Sequence, residues 1–196
     1  PTPTGTIYWV SPTGTASWAS CSNNSPLSGT SACSLGTANA NAVAGDIIYL
    51  RGGTYNLTYG IAPNNSGTGP SARITFAAYT GEVPTFTKSS GYVYGIYLEN
   101  KNYIKISGIT FLDMDIWGYV IKGSSYNEIA NSTFQSATGG RILYIGVASS
   151  NPTSWATHNW IHDNTFTITG TGCTDGGRDT IRIGSSQGAY GNSADN

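Results

Sequence analysis

The chain has 196 residues, the length of one ordinary domain with a sizeable core. Only 10% of residues are charged and the net charge is −1, which excludes a basic nucleic-acid surface and an acidic tail. Gly, Thr, Ser, Asn and Tyr are abundant and long Leu/Ala/Glu/Lys windows are missing, so strands and turns are expected over helices. No apolar run reaches the roughly 18–20 residues that a bilayer-spanning helix needs.

The first segment, residues 1–33, reads as an N-terminal strand followed by a disulfide loop. Its opening Pro1-Thr-Pro-Thr-Gly-Thr6 has the character of a mature N-terminus or the end of a Pro/Thr linker, with a targeting segment expected to have been removed. Ile7-Tyr-Trp-Val10 is a short apolar strand, and Trp9 and Trp18 read as packing residues. Cys21 and Cys33 bracket a polar Ser/Asn/Gly/Pro loop. A disulfide between them would close that loop and stabilise it by about 2–3 kcal/mol in the chain-entropy account. Cys173 is left over, with no Cys or His at ligand spacing, which argues against zinc. A disulfide and low charge point to a secreted or cell-surface location.

Residues 34–45 form the one good helix candidate. Leu35, Ala38, Ala42 and Val43 fall on one face, Ser34 supplies an N-cap and Gly45 a stop. The rest, residues 46–196, carries a repeat. Tyr103-Ile-Lys-Ile-Ser-Gly-Ile-Thr-Phe111, Tyr126-Asn-Glu-Ile-Ala-Asn-Ser-Thr-Phe134 and His158-Asn-Trp-Ile-His-Asp-Asn-Thr-Phe166 each place an Ile five residues before a Phe. The Phe residues are 23 and then 32 apart. A fixed period with one enlarged member, built of strand formers and Gly/Asn corners, predicts a stacked β-solenoid. Gly95-Ile-Tyr-Leu98, Tyr119-Val-Ile-Lys122, Arg141-Ile-Leu-Tyr-Ile145 and Asp179-Thr-Ile-Arg-Ile183 form a second strand family alternating with the first. Each rung then holds two or three strands, paired in parallel with their equivalents one rung away. The helix would cover the exposed apolar end of the first rung. Insertions at 147–157 and 167–178 flank the third repeat and would wall a groove.

These features resemble right-handed parallel β-helix proteins of the pectate-lyase type, nearest the chondroitinase-B/alginate-lyase group, polysaccharide lyase family six. Four blocks carry the likeness: Gly45-Asp-Ile-Ile-Tyr-Leu-Arg-Gly-Gly-Thr-Tyr55, Ser71-Ala-Arg-Ile-Thr-Phe76 with Tyr79, Gly123-Ser-Ser-Tyr-Asn-Glu-Ile129, and Gly176-Gly-Arg-Asp-Thr-Ile-Arg-Ile-Gly184. The resemblance implies an all-β, single-stranded right-handed parallel β-helix acting on acidic polysaccharide by β-elimination. That chemistry needs the uronate carboxylate neutralised by Ca²⁺ or a cationic cluster, a base for the C5 proton and an acid for the leaving oxygen. The family's catalytic Lys and Arg lie C-terminal to the last block and have no counterpart here. The catalytic residues are therefore unassigned, and further rungs are expected in a longer parent.

Local candidates follow. With Leu98, Ile121, Leu143 and Ile181 inward, Glu99, Lys122, Tyr144 and Arg182 make an outward ladder. It reads either as a cation-and-aromatic track for an anionic glycan or as a Glu99–Lys122 pair with solvated neighbours. Trp155 in the insertion either stacks a sugar ring or anchors its loop. Asp175, Arg178 and Asp179 surround a Gly-Gly turn. The two carboxylates would suit Ca²⁺, and turn chemistry is the plainer account. Lys122, Tyr144, Trp155, Arg178 and Arg182 are thus the candidate substrate-binding residues. His158 and His162, four apart on a strand, would sit about 13 Å apart and make no two-His metal site. Asn127, Asn131 and Asn164 read as corner residues, and Asn23, Asn56, Asn64 and Asn131 open glycosylation sequons. The other reading is a non-catalytic glycan-binding or structural module, whose open end would accept further rungs or a second copy.

Overall fold

A computed structural model describes residues 5–137, 143–147, 154–169 and 181–185. The strands are β1 (Ile7–Val10), β2 (Ile47–Leu50), β3 (Gly53–Leu57), β4 (Ile74–Ala78), β5 (Pro84–Lys88), β6 (Tyr94–Glu99), β7 (Ile104–Ser107), β8 (Thr110–Leu112), β9 (Ile116–Ile121), β10 (Glu128–Ala130), β11 (Thr133–Ser136), β12 (Leu143–Val147), β13 (Trp160–His162), β14 (Thr165–Ile168) and β15 (Ile181–Ser185). They build three sheets. Sheet A runs β1-β2-β4-β7-β10-β13, sheet B β14-β11-β8-β5-β3, and sheet C β15-β12-β9-β6. Pairing within each sheet is parallel. From β6 onward the chain visits C, A and B in turn, so it winds as a parallel β-helix, as expected.

The interior is a set of like-on-like columns. Ile48, Phe76, Ile106, Ile129 and Ile161 follow one another in sheet A. Tyr55, Phe86, Phe111, Phe134 and Phe166 do so in sheet B. The rings of Phe111, Phe134 and Phe166 stack nearly parallel at 4.8 and 4.9 Å. That separation matches the spacing of hydrogen-bonded strands, about 4.8 Å, so each ring rests on the next without distorting the backbone.

The Ile-to-Phe repeat is not one strand. It turns a corner between sheets A and B, at Gly108, Asn131 and Asp163, all with left-handed backbone (φ 78°, 51° and 53°). The predicted strand 158–166 is accordingly β13 and β14, in different sheets. Five residues is the distance from one inward position to the next across that corner. Asn164 ties its corner to the rung before, accepting from Ser132 N at 2.9 Å and donating to Ile129 O at 2.8 Å. Asn127 does the same at the C-to-A corner, donating to Asn159 Oδ1 and Lys101 O and accepting from Ile104 N.

Helix α1 (Leu35–Asn41) lies against the first rung. Ser34 accepts from Thr37 N as the predicted N-cap, at 3.1 Å. Leu35, Ala38 and Ala42 are buried, whereas Val43 is exposed. The helix ends before Val43, whose N–H donates to Asp46 Oδ2, so its side chain leaves the apolar face. Cys21 and Cys33 form the disulfide, with both residues fully buried. Trp9 is buried and Trp18 stacks on Tyr8, both packing residues. Among the described residues no helix is long and apolar enough to cross a membrane.

Candidate functional site

The outer face of sheet C is the most chemically distinct surface among the described residues. Its strands break strict alternation. β6 buries Gly95 and Ile96 in succession, and β9 buries Trp117 and Gly118. A Cβ on Gly95 would lie 2.7 Å from the Phe111 ring and 2.8 Å from Trp117 O, so glycine is required there, and one on Gly118 would lie 2.5 Å from Leu143 Cδ1, which would have to move. Two inward residues in a row set the flanking aromatics three apart on the same outer face. Tyr94 and Tyr97 both project from β6, and Tyr97 is paired with Tyr119 and then Tyr144 and Arg182 on successive rungs.

The rings form a connected cluster. Tyr94 meets Tyr97 at 5.2 Å and Tyr119 at 5.6 Å, edge to face. Tyr119 meets Tyr144 at 5.0 Å, Tyr92 meets Tyr94 at 5.5 Å, and Tyr59 meets Tyr97 at 6.1 Å. Tyr59 and Tyr92 are 47% and 63% exposed. The Tyr97 hydroxyl donates to Glu99, and that bond followed by partial burial raises its pKa. Burial does the same for Tyr119 and Tyr59. At neutral pH Tyr59, Tyr97 and Tyr119 are therefore uncharged phenols. Glu99 accepts from both Lys122 and Tyr97, which hold its carboxyl below the ordinary glutamate range.

The predicted ladder is rearranged by this register. Leu98 pairs with Val120 rather than Ile121, so Tyr119 occupies the place expected for Lys122. Lys122 instead sits past the end of β9 in a left-handed conformation (φ 53°), ion-paired with Glu99. Tyr144 and Arg182 are register partners, as expected. Tyr144 is only 1% exposed, and its hydroxyl donates to Val147 O and Gly184 O. It supports Tyr119 from below and is not itself a platform for a ligand. Trp155 is half-buried between Ser154, which accepts from Gly123 N, and Ala156, which donates to Gly146 O. Those bonds bring the Trp155 segment to the corner that holds Lys122. Arg178, Asp175 and Asp179 lie outside the described residues, as does Cys173. Reading the residues missed Tyr59, Tyr92, Tyr94, Tyr97 and Tyr119. The available signal was a Gly one or two places before Tyr97 and Tyr119.

The outer face of sheet A holds a second charged group. Glu128 pairs with Lys105 at 2.7 Å and approaches His162 Nε2 at 3.5 Å, while His162 Nδ1 lies 2.7 Å from Asp163. Burial would raise the Glu128 pKa, but Lys105, Arg73 and His162 together outweigh it and hold it low. No cluster of three or more metal-binding side chains occurs among the described residues.

Three parallel sheets wound about a core of stacked rings define a parallel β-helix protein. More narrowly, the chain belongs to the Pel9A-like right-handed β-helix family, whose β-helix region matches residues 8–181. No curated protein matches it. Among solved structures it is similar to the crystal structure of pectate lyase Pel9A, with a TM-score of 0.51 and 20% sequence identity. The match covers 83% of this chain and 46% of that one, so the chain spans less than half the length of the lyase. At that identity the likeness is one of fold.

Proposed function

We propose that this chain is the glycan-binding part of an extracellular, lyase-like β-helix protein that acts on acidic polysaccharide. The observation that carries it is the tyrosine face of sheet C, bordered by Lys122 and Arg182. Sugar rings offer C–H faces that pack on aromatic rings, and their hydroxyls find the phenols and Glu99. The cations border the path where uronate carboxylates would run. The blocks that resemble the chondroitinase-B/alginate-lyase group support β-elimination as the reaction class, in a parent chain that supplies the base. Asp175 and Asp179 are the carboxylates proposed for Ca²⁺, with Arg178 beside them. The Cys21–Cys33 bridge supports an oxidising compartment.

The test is incubation with polygalacturonate, alginate and dermatan sulfate, with and without Ca²⁺, following ultraviolet absorbance of the unsaturated product and, separately, binding. Tyr119→Ala and Arg182→Ala are each expected to weaken binding about 5–10-fold, the equivalent of roughly 1–1.4 kcal/mol. Absence of both product and binding on all three polymers rules the reading out. A non-catalytic module is the second reading, favoured by the engagement of Lys122 with Glu99. Binding without product from a chain that also carries the rungs supplying the base selects it.

A further inference from the structure

We propose that the cleft between helix α1 and strand β3 is a subsite for an uncharged sugar unit, continuous with the tyrosine face. The inference deepens the glycan reading of sheet C and rests on it for the identity of the ligand. The cleft encloses about 490 Å³, inside the range of roughly 300–1,000 Å³ typical of small-molecule sites. Its walls are Ser11 and Pro12 after β1, the face of α1 from Ser34 to Ala40, and β3 with the residues that follow it to Asn64.

Three observations fix the chemistry of its occupant. First, the lining contains no Asp, Glu, Lys, Arg or His. A carboxylate entering it would lose hydration with no cation to replace it, whereas hydroxyl groups would meet amides, hydroxyls and main chain. Second, β3 ends sheet B on this side and has β5 as its sole strand neighbour in that sheet. Its outer edge therefore offers main-chain donors and acceptors alternately along the cleft, and sugar hydroxyls both donate and accept. Third, the cleft is built before any ligand arrives. Asn39 donates to Gly60 O at 2.8 Å and accepts from Ala62 N at 3.1 Å, and Asn64 N donates to Asn39 O at 2.8 Å. These bonds sew the segment after β3 to the helix, so little ordering remains to be done on binding.

Continuity comes from Tyr59. It lines the cleft and also meets Tyr97 of the sheet C cluster. A polymer lying on Tyr119 and Tyr97 thus reaches the cleft over Tyr59. It would place a neutral unit, a branch or a chain residue, beneath α1 and its acidic units beside Lys122 and Arg182.

The experiment compares a neutral galactotriose with trigalacturonate, by saturation-transfer NMR and titration, on the wild type, Gly36→Gln and Tyr119→Ala. Gly36 lines the cleft on the exposed side of α1, and a Cβ there meets only Ser34 Oγ at 3.8 Å, so the glutamine fills the cleft without disturbing the fold. Circular dichroism and melting of the variant check that. Galactotriose binding is expected to fall at least about fivefold in Gly36→Gln and to persist in Tyr119→Ala, with the reverse for trigalacturonate. Galactotriose that does not bind, or binds Gly36→Gln as well as wild type, overturns the subsite. So does a cleft that takes an extended peptide along β3 but no sugar. Trigalacturonate failing on every form while galactotriose behaves as expected sinks the acidic-glycan reading and leaves the subsite standing.

Discussion

Tyr103, Tyr126 and His158 occupy equivalent corners on three rungs, all in left-handed backbone at φ 56°, 60° and 55°. For a side chain with a Cβ that conformation costs roughly 1–2 kcal/mol. Gly or Asn is the expectation at such a place, as at Asn100. Stacking supplies the compensation here. Tyr103 and Tyr126 lie 5.0 Å apart and nearly parallel, and Tyr126 and His158 lie 4.8 Å apart. Arg73 lies over Tyr103 and donates to Tyr126 O, closing the near end of the stack. Beside it, Glu128 gives a pH dependence whose sign is fixed. Its folded pKa is depressed, so the stability it contributes is full above its ordinary value of about 4.5 and is lost as pH falls through the lower folded value. Glu82 acts in the same direction, held low chiefly by its hydrogen bonds from Arg51. Thermal melting should therefore be flat from pH 7 to 5 and fall below about 4.5. Glu128→Gln should lower the plateau and soften the acid limb; an unchanged acid limb would show that the pair with Lys105 carries none of this dependence.

Among the elements, β6 and β9 decide where the tyrosines point. Their doubled inward positions, Gly95-Ile96 and Trp117-Gly118, shift the outer face by one residue relative to plain alternation. Gly118→Ala should destabilise by about 1–3 kcal/mol through overpacking against Leu143 and Ile96, read from urea unfolding. The same variant should disturb Tyr119 and weaken glycan binding. If stability and binding are both unchanged, the close packing assigned to this strand is wrong. The same positions explain what could be read beforehand. The Ile and Phe columns, the capping helix with Ser34 and the Cys21–Cys33 bridge follow from local pattern and spacing. The tyrosine face does not, because a one-residue slip depends on how Gly95 fits beneath Phe111, a contact between rungs that no window of sequence contains. The bridge itself should stabilise by about 2–3 kcal/mol. Unfolding with and without reductant measures that, and equal midpoints would mean the loop between Cys21 and Cys33 holds its shape without the sulfurs.

At the scale of the whole molecule, strand pairing joins each rung only to its neighbours, so stability is approximately a sum along one axis. The inner columns show how that sum varies. Ile129, Phe134 and Ile145 are fully buried, while one rung further Ile161 and Phe166 are half-buried and Ile183 is 46% exposed. Hydrogen exchange should record this gradient. Amides of β7, β8 and β10, with packed rungs on both sides, are expected to exchange most slowly, and those of β13, β14 and β15 faster. Phe134→Ala removes the ring between Phe111 and Phe166 and should cost about 3–5 kcal/mol, lowering protection on both sides of its rung. Phe166→Ala should cost less and leave β7 and β8 protected. Uniform exchange across all rungs, with both variants equally damaging, would mean that the molecule opens as one unit and the additive picture fails. A ligand seated on sheet C adds a second prediction along the same axis. It would lie over Tyr97 of β6 and Tyr119 of β9 and reach Arg182 of β15, so a bound uronate polymer should slow exchange in β6, β9 and β15 more than in β7 or β8. Slowing confined to the amides of sheet A would place the ligand on the Glu128–His162 side of the helix instead.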